Sequence, residues 1–491
     1  MTEIRTRFAP SPTGFPHVGN IRTALFAWLF ARHNNGSFIV RIEDTDVARR
    51  VDGAVDSIIN SLNWLGIDWD EGPEKGGKYG PYFQSQRLEK YKEAAKQMIT
   101  QGDAYYCYCS SERLKKMRED QQKHKQPPGY DRLCRDLTES ERKQKETEGI
   151  TPVVRFKTPL EGEIKFHDLI WGDLEFNLST LDDFVMSKSD GYPTYHLANV
   201  VDDHLMEISH VIRAEEWLSS APRHILMYRS LGFTPPQLAH LPMILGPDRS
   251  KLSKRHGSVS VSEYYEQGYL PQAMMNFLAL LGWSLDDKTE LLSREELIDN
   301  FSLERINRNG AIFNQEKLTW MNGIYIRNLS AEAFYHVAEP YLMMDRDTGQ
   351  AVITDPEYVE RILPLVQERT KTLAEIVGLI QYFFTDNLHY DTKSLIGKNM
   401  TRENTITTLN VAQERLAQQD KFDEETLEIL LRPLAAELEL KPGQLFGALR
   451  TAVSGRTATP PLFQMMAVLG KDLSMKRINE AIGKLESMPQ Q

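Results

Sequence analysis

Residues 5–46, RTRFAPSPTGFPHVGNIRTALFAWLFARHNNGSFIVRIEDTD, leave few choices of fold. Pro10, Pro12 and Pro16 forbid a helix there, because each lacks an amide donor and fixes its own φ. Arg7-Phe8-Ala9 therefore ends a short strand, and residues 21–33, apolar on most faces, form a buried helix. Asn34-Asn35-Gly36 stops that helix before the buried-strand pattern Phe38-Ile39-Val40-Arg41-Ile42. Strand, tight loop, helix and strand make a nucleotide-binding βαβ opening. Its loop is not the Gly-rich dinucleotide type, since His17, Gly19 and Asn20 stand where the helix begins. A helix start carries free amides and partial positive charge, which suits phosphate. Gly19 permits close approach to the backbone, and the His17 imidazole can donate to a phosphate oxygen.

A second polar loop, GPDRSKLSKRHGS, follows the apolar run 241–245 and contains Lys251-Leu252-Ser253-Lys254-Arg255. Alone it reads as solvated surface. Paired with PSPTGFPHVG, it resembles the HIGH and KMSKS signatures of class I aminoacyl-tRNA synthetases. The stretches RIEDTD (41–46), SDGYPTYHLAN (189–199) and VIRAEEW (211–217) are similar to the bacterial glutamyl branch of that class, and the resemblance runs over nearly the whole chain. Asn20 departs from the final histidine of the first signature, and Leu252 and Arg255 from the methionine and final serine of the second.

The resemblance implies an α/β fold: a doubly wound parallel-sheet catalytic domain from residues 1–106 and 190–245, with an α+β acceptor-binding region inserted at 107–189. A lysine-loop and stem-contact region (246–329) and an all-α anticodon-binding part (330–491) would follow. It implies ATP-dependent activation of L-glutamate and transfer to tRNA-Glu, with a monomer expected, and the absence of a leader-like or bilayer-spanning run makes the reducing cytoplasm the default location. That chemistry needs no enzyme nucleophile, because the substrate's α-carboxylate attacks the α-phosphorus. Charge on the phosphoryl oxygens is the barrier, so placed positive groups supply the catalysis. His17, Lys251 and Lys254 are the catalytic candidates, with Pro10, Thr13, Gly14, Gly19, Asn20 and Ser253 completing the ATP site and Mg2+ bridging the phosphates. A buried carboxylate demands a buried cation, here Arg213 assisted by Arg7. Glu43 is expected to hold the substrate ammonium, with Ser11, Tyr195 and Asn199 around it. Asp202-Asp203-His204 reads as solvated acids in a strand-end loop.

Within the insert, Cys107-Tyr108-Cys109 and Cys134-Arg135-Asp136 place three thiols and a carboxylate where one structural Zn2+ can sit, with free thiols as the alternative. Residues 152–157 and 162–166 alternate as strands, and the charge-dense runs 115–125 and 139–145 read as solvated helix faces. Beyond residue 330 the amphipathic patterns 356–368, 373–384, 405–418, 423–439 and 474–486 predict helices, kinked or broken at Pro364 and Pro433. In this region Arg369 and Arg450 are the candidate tRNA contacts. The net charge of −11 does not advertise a nucleic-acid binder, which leaves local positive patches to do that work. No apolar run is long enough to span a bilayer. The competing reading is a catalytically silent RNA-binding or regulatory paralogue, against which intact His17, Gly19, Lys251 and Lys254 argue.

Overall fold

The computed structural model describes residues 3–256, 260–342, 355–385, 387–389 and 391–489. The chain divides into two compact units, Met1–Tyr265 with Pro271–Leu318, and Glu266–Leu270 with Thr319–Gln491.

The first unit is built on the opening βαβ. Strand Arg5–Phe8 pairs in parallel with Ser37–Val40, and the helix Val18–His33 between them buries Ile21, Leu25, Trp28 and Leu29. On the other side of Arg5–Phe8, the Ser209 amide donates to the Arg5 carbonyl at 3.0 Å and leads into strand His210–Ala214. That strand pairs in parallel with Gln237–Leu241, which meets Glu163–Asp168 in parallel through Asp168 and Leu238. The hairpin partner Gly172–Asn177 closes this edge antiparallel. The chain thus starts in the middle, winds one way to Ser37–Val40 and later the other way from His210. Such a reversal opens a crevice at the carboxyl ends of the central strands, where ligands bind in open α/β sheets. Phe8 leads into the proline loop there, and Arg213 lies near the end of its own strand.

Residues 104–187 divide between two sheets. Strands Ala104–Cys107, Val153–Phe156 and Val185–Ser187 make a separate antiparallel sheet, whereas the hairpin at 163–177 extends the central one. The charge-dense runs are the solvated helices Ser111–Lys123 and Glu139–Thr147, neither burying a single residue.

The described residues of the second unit are helical, with no strand among them. The patterns 356–368, 405–418, 423–439 and 474–486 appear as Pro356–Gln367, Arg402–Ala417, Glu424–Glu437 and Lys471–Glu486. Pro364 and Pro433 sit inside two of these without ending them. The expected helix at 373–384 is instead a short helix, Ile376–Ile380, between tight turns at Leu373–Glu375 and Gln381–Phe383. Arg456 takes the Gly378 carbonyl at 2.6 Å, so that acceptor serves another segment. Among the described residues no helix is long and apolar enough to cross a membrane.

Candidate active site

His17 caps the helix Val18–His33: its Nδ1 accepts from the Gly19 amide at 3.1 Å. That acceptor role puts the ring proton on Nε2, which is free to donate outward. A Cβ on residue 19 would lie 2.9 Å from the imidazole, so the turn requires glycine. Asn20 returns the cap, its Oδ1 facing the His17 amide at 3.4 Å. The lysine loop leaves strand Ile244–Leu245 as a hairpin in which Lys251 pairs with Leu245. The chain just past the lysine loop meets the His17 loop directly. Ser260 bridges to His17, and the Val261 amide donates to the Pro16 carbonyl at 3.4 Å. Lys251 Nζ is held by Glu216 at 2.5 Å. Loss of solvent around the ring and then the Lys251 ammonium lower the His17 pKa below 6.5, which favours the neutral ring. Lys254 begins the turn Lys254–His256, and its side chain falls outside the described residues. Ser253 is half-buried, its amide donating to His256 Nδ1 at 3.1 Å. Ser11 and Thr13 are exposed on the proline loop, Gly14 faces open space, and Pro10 anchors the loop by accepting from the Glu43 amide at 2.9 Å.

Behind the loops lies a buried polar centre. Asp203 takes Arg7 with both oxygens, at 3.1 and 3.2 Å, and Arg41 Nη1 at 2.8 Å. Arg41 also binds Glu43 at 3.1 Å, and Arg87 binds Asp202 at 2.6 Å. Asp202 and Asp203 are therefore not solvated acids of a strand-end loop. They lie inside helix Tyr195–Leu205, fully buried, because three arginines converge on them from elsewhere in the chain. The Asn199 amide joins the same group, its nitrogen facing Asp203 at 3.1 Å and its oxygen facing Arg41 at 3.3 Å. Burial raises the Glu43 pKa, with Arg41 opposing. Arg213 differs from Arg7 in its company: among the described residues no carboxylate pairs with it. Its donors go to His240 Nε2 at 2.9 Å, the Tyr195 hydroxyl at 3.0 Å, His224 Nδ1 at 3.2 Å and, weakly, the Trp217 carbonyl at 3.4 Å. The Tyr195 ring lies tilted at 38° against that of Trp217, the centroids 4.2 Å apart. A buried cation held by neutral acceptors is a site prepared for an anion.

Residues 3–320 match the catalytic domain of the class I (E and Q) tRNA synthetases, and residues 333–482 match an anticodon binding domain. The chain belongs to the class I tRNA synthetases of the E and Q group. It is 58% identical to the glutamate–tRNA ligase of Dehalococcoides mccartyi over 99% of both chains, and 47% identical to that of Moorella thermoacetica over 98% of both. Among solved structures, a glutamate tRNA ligase from Elizabethkingia meningosepticum in complex with its amino acid superposes with a TM-score of 0.89 at 36% identity. That likeness covers 98% of this chain and all of the other.

In this synthetase the three cysteine sulfurs lie within 4.8 Å of one another, with Cys109 and Cys134 3.6 Å apart. Thiolates around a tetrahedral zinc stand about 3.8 Å apart, so the set fits that ion. Asp136 does not join them. Arg135 turns inward to Asp183 at 2.8 Å, which sends Asp136 outward to Lys157 at 3.1 Å. Tyr130 stands at the cluster instead, its oxygen 3.3 Å from Cys107 Sγ and 3.4 Å from Cys109 Sγ. In the second unit Arg450 is half-buried and donates to Thr459 at 3.1 Å, while Arg369 is exposed close enough for its charge, after burial, to lower the Arg450 pKa. Sequence reasoning missed Arg41, Asp203, His224, His240, Glu216 and Tyr130. Only Asp203 left a trace, since Tyr195, Asn199 and Asp203 recur every fourth residue along one helix face.

Proposed function

We propose that this chain is a glutamate–tRNA ligase, joining L-glutamate to tRNA-Glu through glutamyl-adenylate. The observation that carries the reading is that Lys251 lies close enough to His17 to lower its pKa, in the same unit as Arg213, whose charge no carboxylate among the described residues answers. The glutamate α-carboxylate oxygen attacks the α-phosphorus of ATP. A new oxygen–phosphorus bond forms as the bond to pyrophosphate breaks. His17 Nε2–H donates to a phosphate oxygen, and Lys251, released from Glu216, joins Lys254 in neutralising the departing pyrophosphate. Thr13, Gly14, Gly19, Asn20 and Ser253 shape the ATP cleft with Pro10 at its root. Magnesium brought with ATP would supply charge neutralisation at the phosphates. The 2′-hydroxyl of the terminal ribose of tRNA then attacks the activated carbonyl, and AMP leaves.

Arg213 and Tyr195 take the side-chain carboxylate. Glutamine fails there because its amide donors would face guanidinium donors. Glu43 receives the substrate ammonium beside Asn199 and Ser11, and Arg7 supports the pocket through Asp203. Residues 107–189 receive the acceptor end, and Arg369 with Arg450 contributes to anticodon binding. Cys107, Cys109, Cys134 and Tyr130 would hold one zinc ion, which supplies a structural crosslink and no chemistry. Free thiols so close together suit the reducing cytoplasm.

The test is pyrophosphate exchange with glutamate, with and without tRNA-Glu. Exchange with glutamate and not with glutamine is expected in at least one condition. None in either would establish the silent paralogue, and equal exchange with glutamine would remove Arg213 from its role.

A further inference from the structure

Arg213 is oriented by groups that themselves have only one way to stand. Asp168 ends the strand Glu163–Asp168 fully buried and accepts from the amides of Ile170 and Trp171, each at 3.0 Å. Its other oxygen lies 2.6 Å from His240 Nδ1, which fixes the ring proton on that nitrogen. His240 Nε2 is consequently a lone pair, and Arg213 Nε donates to it at 2.9 Å. On the other flank His224 Nδ1 accepts from Arg213 Nη1, so its Nε2 carries the proton and donates to His196 Nδ1 at 3.0 Å. Nε and Nη1 are thereby clamped by neutral acceptors, leaving Nη2, among the described residues, with only the weak 3.4 Å contact to the Trp217 carbonyl.

We propose that Asp168 and His240 are positioning residues for glutamate selection: Asp168 fixes the His240 tautomer, and His240 aims Arg213 without neutralising it. A carboxylate in place of His240 would hold the guanidinium as well but would consume the charge that the substrate needs. The inserted hairpin thus supplies the group that sets the amino-acid pocket, through the same residue that joins it to the central sheet. The inference rests on Arg213 receiving the glutamate side chain.

Asp168→Asn is nearly isosteric and keeps the acceptor for the two amides. Its amide now donates to His240 Nδ1, which moves the ring proton to Nε2 and sets it against Arg213 Nε–H. The glutamate KM in pyrophosphate exchange is expected to rise about 10- to 100-fold with the ATP KM within about twofold. His240→Gln, whose Oε1 can still accept from Arg213, should stay within about fivefold of the parent, while His240→Leu should match Asp168→Asn. Arg213→Ala separates the two ideas. If it leaves the glutamate KM within twofold, the role of Arg213 fails and the inference with it. If Arg213→Ala raises that KM but Asp168→Asn and His240→Leu do not, the positioning device alone is wrong. Equal rises in the glutamate and ATP KM values would also overturn it by marking a structural effect. Should Asp168→Asn not fold, the His240→Gln and His240→Leu pair decides by the same criteria.

Discussion

Asp203→Asn removes a carboxylate that both Arg7 and Arg41 grip, and it should cost the first unit several kcal/mol. All three side chains are buried, with 1% of Asp203, 4% of Arg7 and none of Arg41 exposed. With the charge centres of each pair about 4 Å apart, each is worth roughly 4 kcal/mol at an effective dielectric of about 20, so two pairs bound the loss near 8 kcal/mol. Glu43 and Asp202 still face Arg41, at 3.1 and 3.8 Å, and the asparagine oxygen can keep one hydrogen bond. A net loss of about 3–5 kcal/mol remains, the usual consequence of leaving a buried charge without its partner. At about 2 °C per kcal/mol for a unit this large, the transition should fall by about 6–10 °C. The two units need not unfold together, so calorimetry should be paired with amide hydrogen exchange in helix Tyr195–Leu205. Adding Arg7→Met to Asp203→Asn removes one of the two stranded cations and should recover a good part of the loss. A single variant melting within about 2 °C of the parent, or a double variant no better than the single, would refute this account of the cluster.

Three other outcomes follow from the same geometry. Replacing Lys251 with Ala should raise the His17 pKa in a proton-coupled NMR titration, since the ammonium depresses it; an unmoved value would mean that the loops do not share one site. Burial, followed by the charges of Arg223 and Arg213, lowers His196 from 6.5 to about 4, and burial with Arg213 places His224 well below its usual value too. The unfolded chain therefore binds more protons below pH 6.5, so stability is full above that pH and falls toward pH 4 by about 1.4 kcal/mol per pH unit for each histidine. Urea unfolding between pH 7 and 5 should show the fall, and His196→Gln should flatten it; an identical slope in that variant would be evidence against the assignment. Metal analysis of purified protein should find one zinc per chain that survives Asp136→Ala and is lost or weakened by Cys109→Ser and Tyr130→Phe; loss on Asp136→Ala would restore the carboxylate as a ligand.

What could be read from the sequence, and what could not, divides by the range of the interaction. The opening βαβ and the long helices were legible because hydrophobic period, proline and glycine act within a few residues. Asp202-Asp203 was misread for the opposite reason. Two adjacent acids look solvated until the chain folds and brings Arg7, Arg41 and Arg87 to them, and no local pattern announces a partner 196 residues away. The stripe Tyr195, Asn199, Asp203 was nevertheless available. Two of its members were already assigned to glutamate, and helical spacing places the third on the same face. Asp136 failed through a related error, since equal spacing from the cysteines said nothing about which side each residue would take. Arg135 satisfies the buried Asp183 and thereby decides that Asp136 must point to solvent. Tyr130 carried no metal-ligand signature at all. The same logic explains why His240 stayed hidden: a histidine within an apolar strand reads as core, and only the Asp168 carboxylate on one nitrogen and the guanidinium on the other give it direction. Groups that touch substrate sit in motifs because their chemistry fixes their type. Groups that aim them are defined by contact, and contact belongs to the fold.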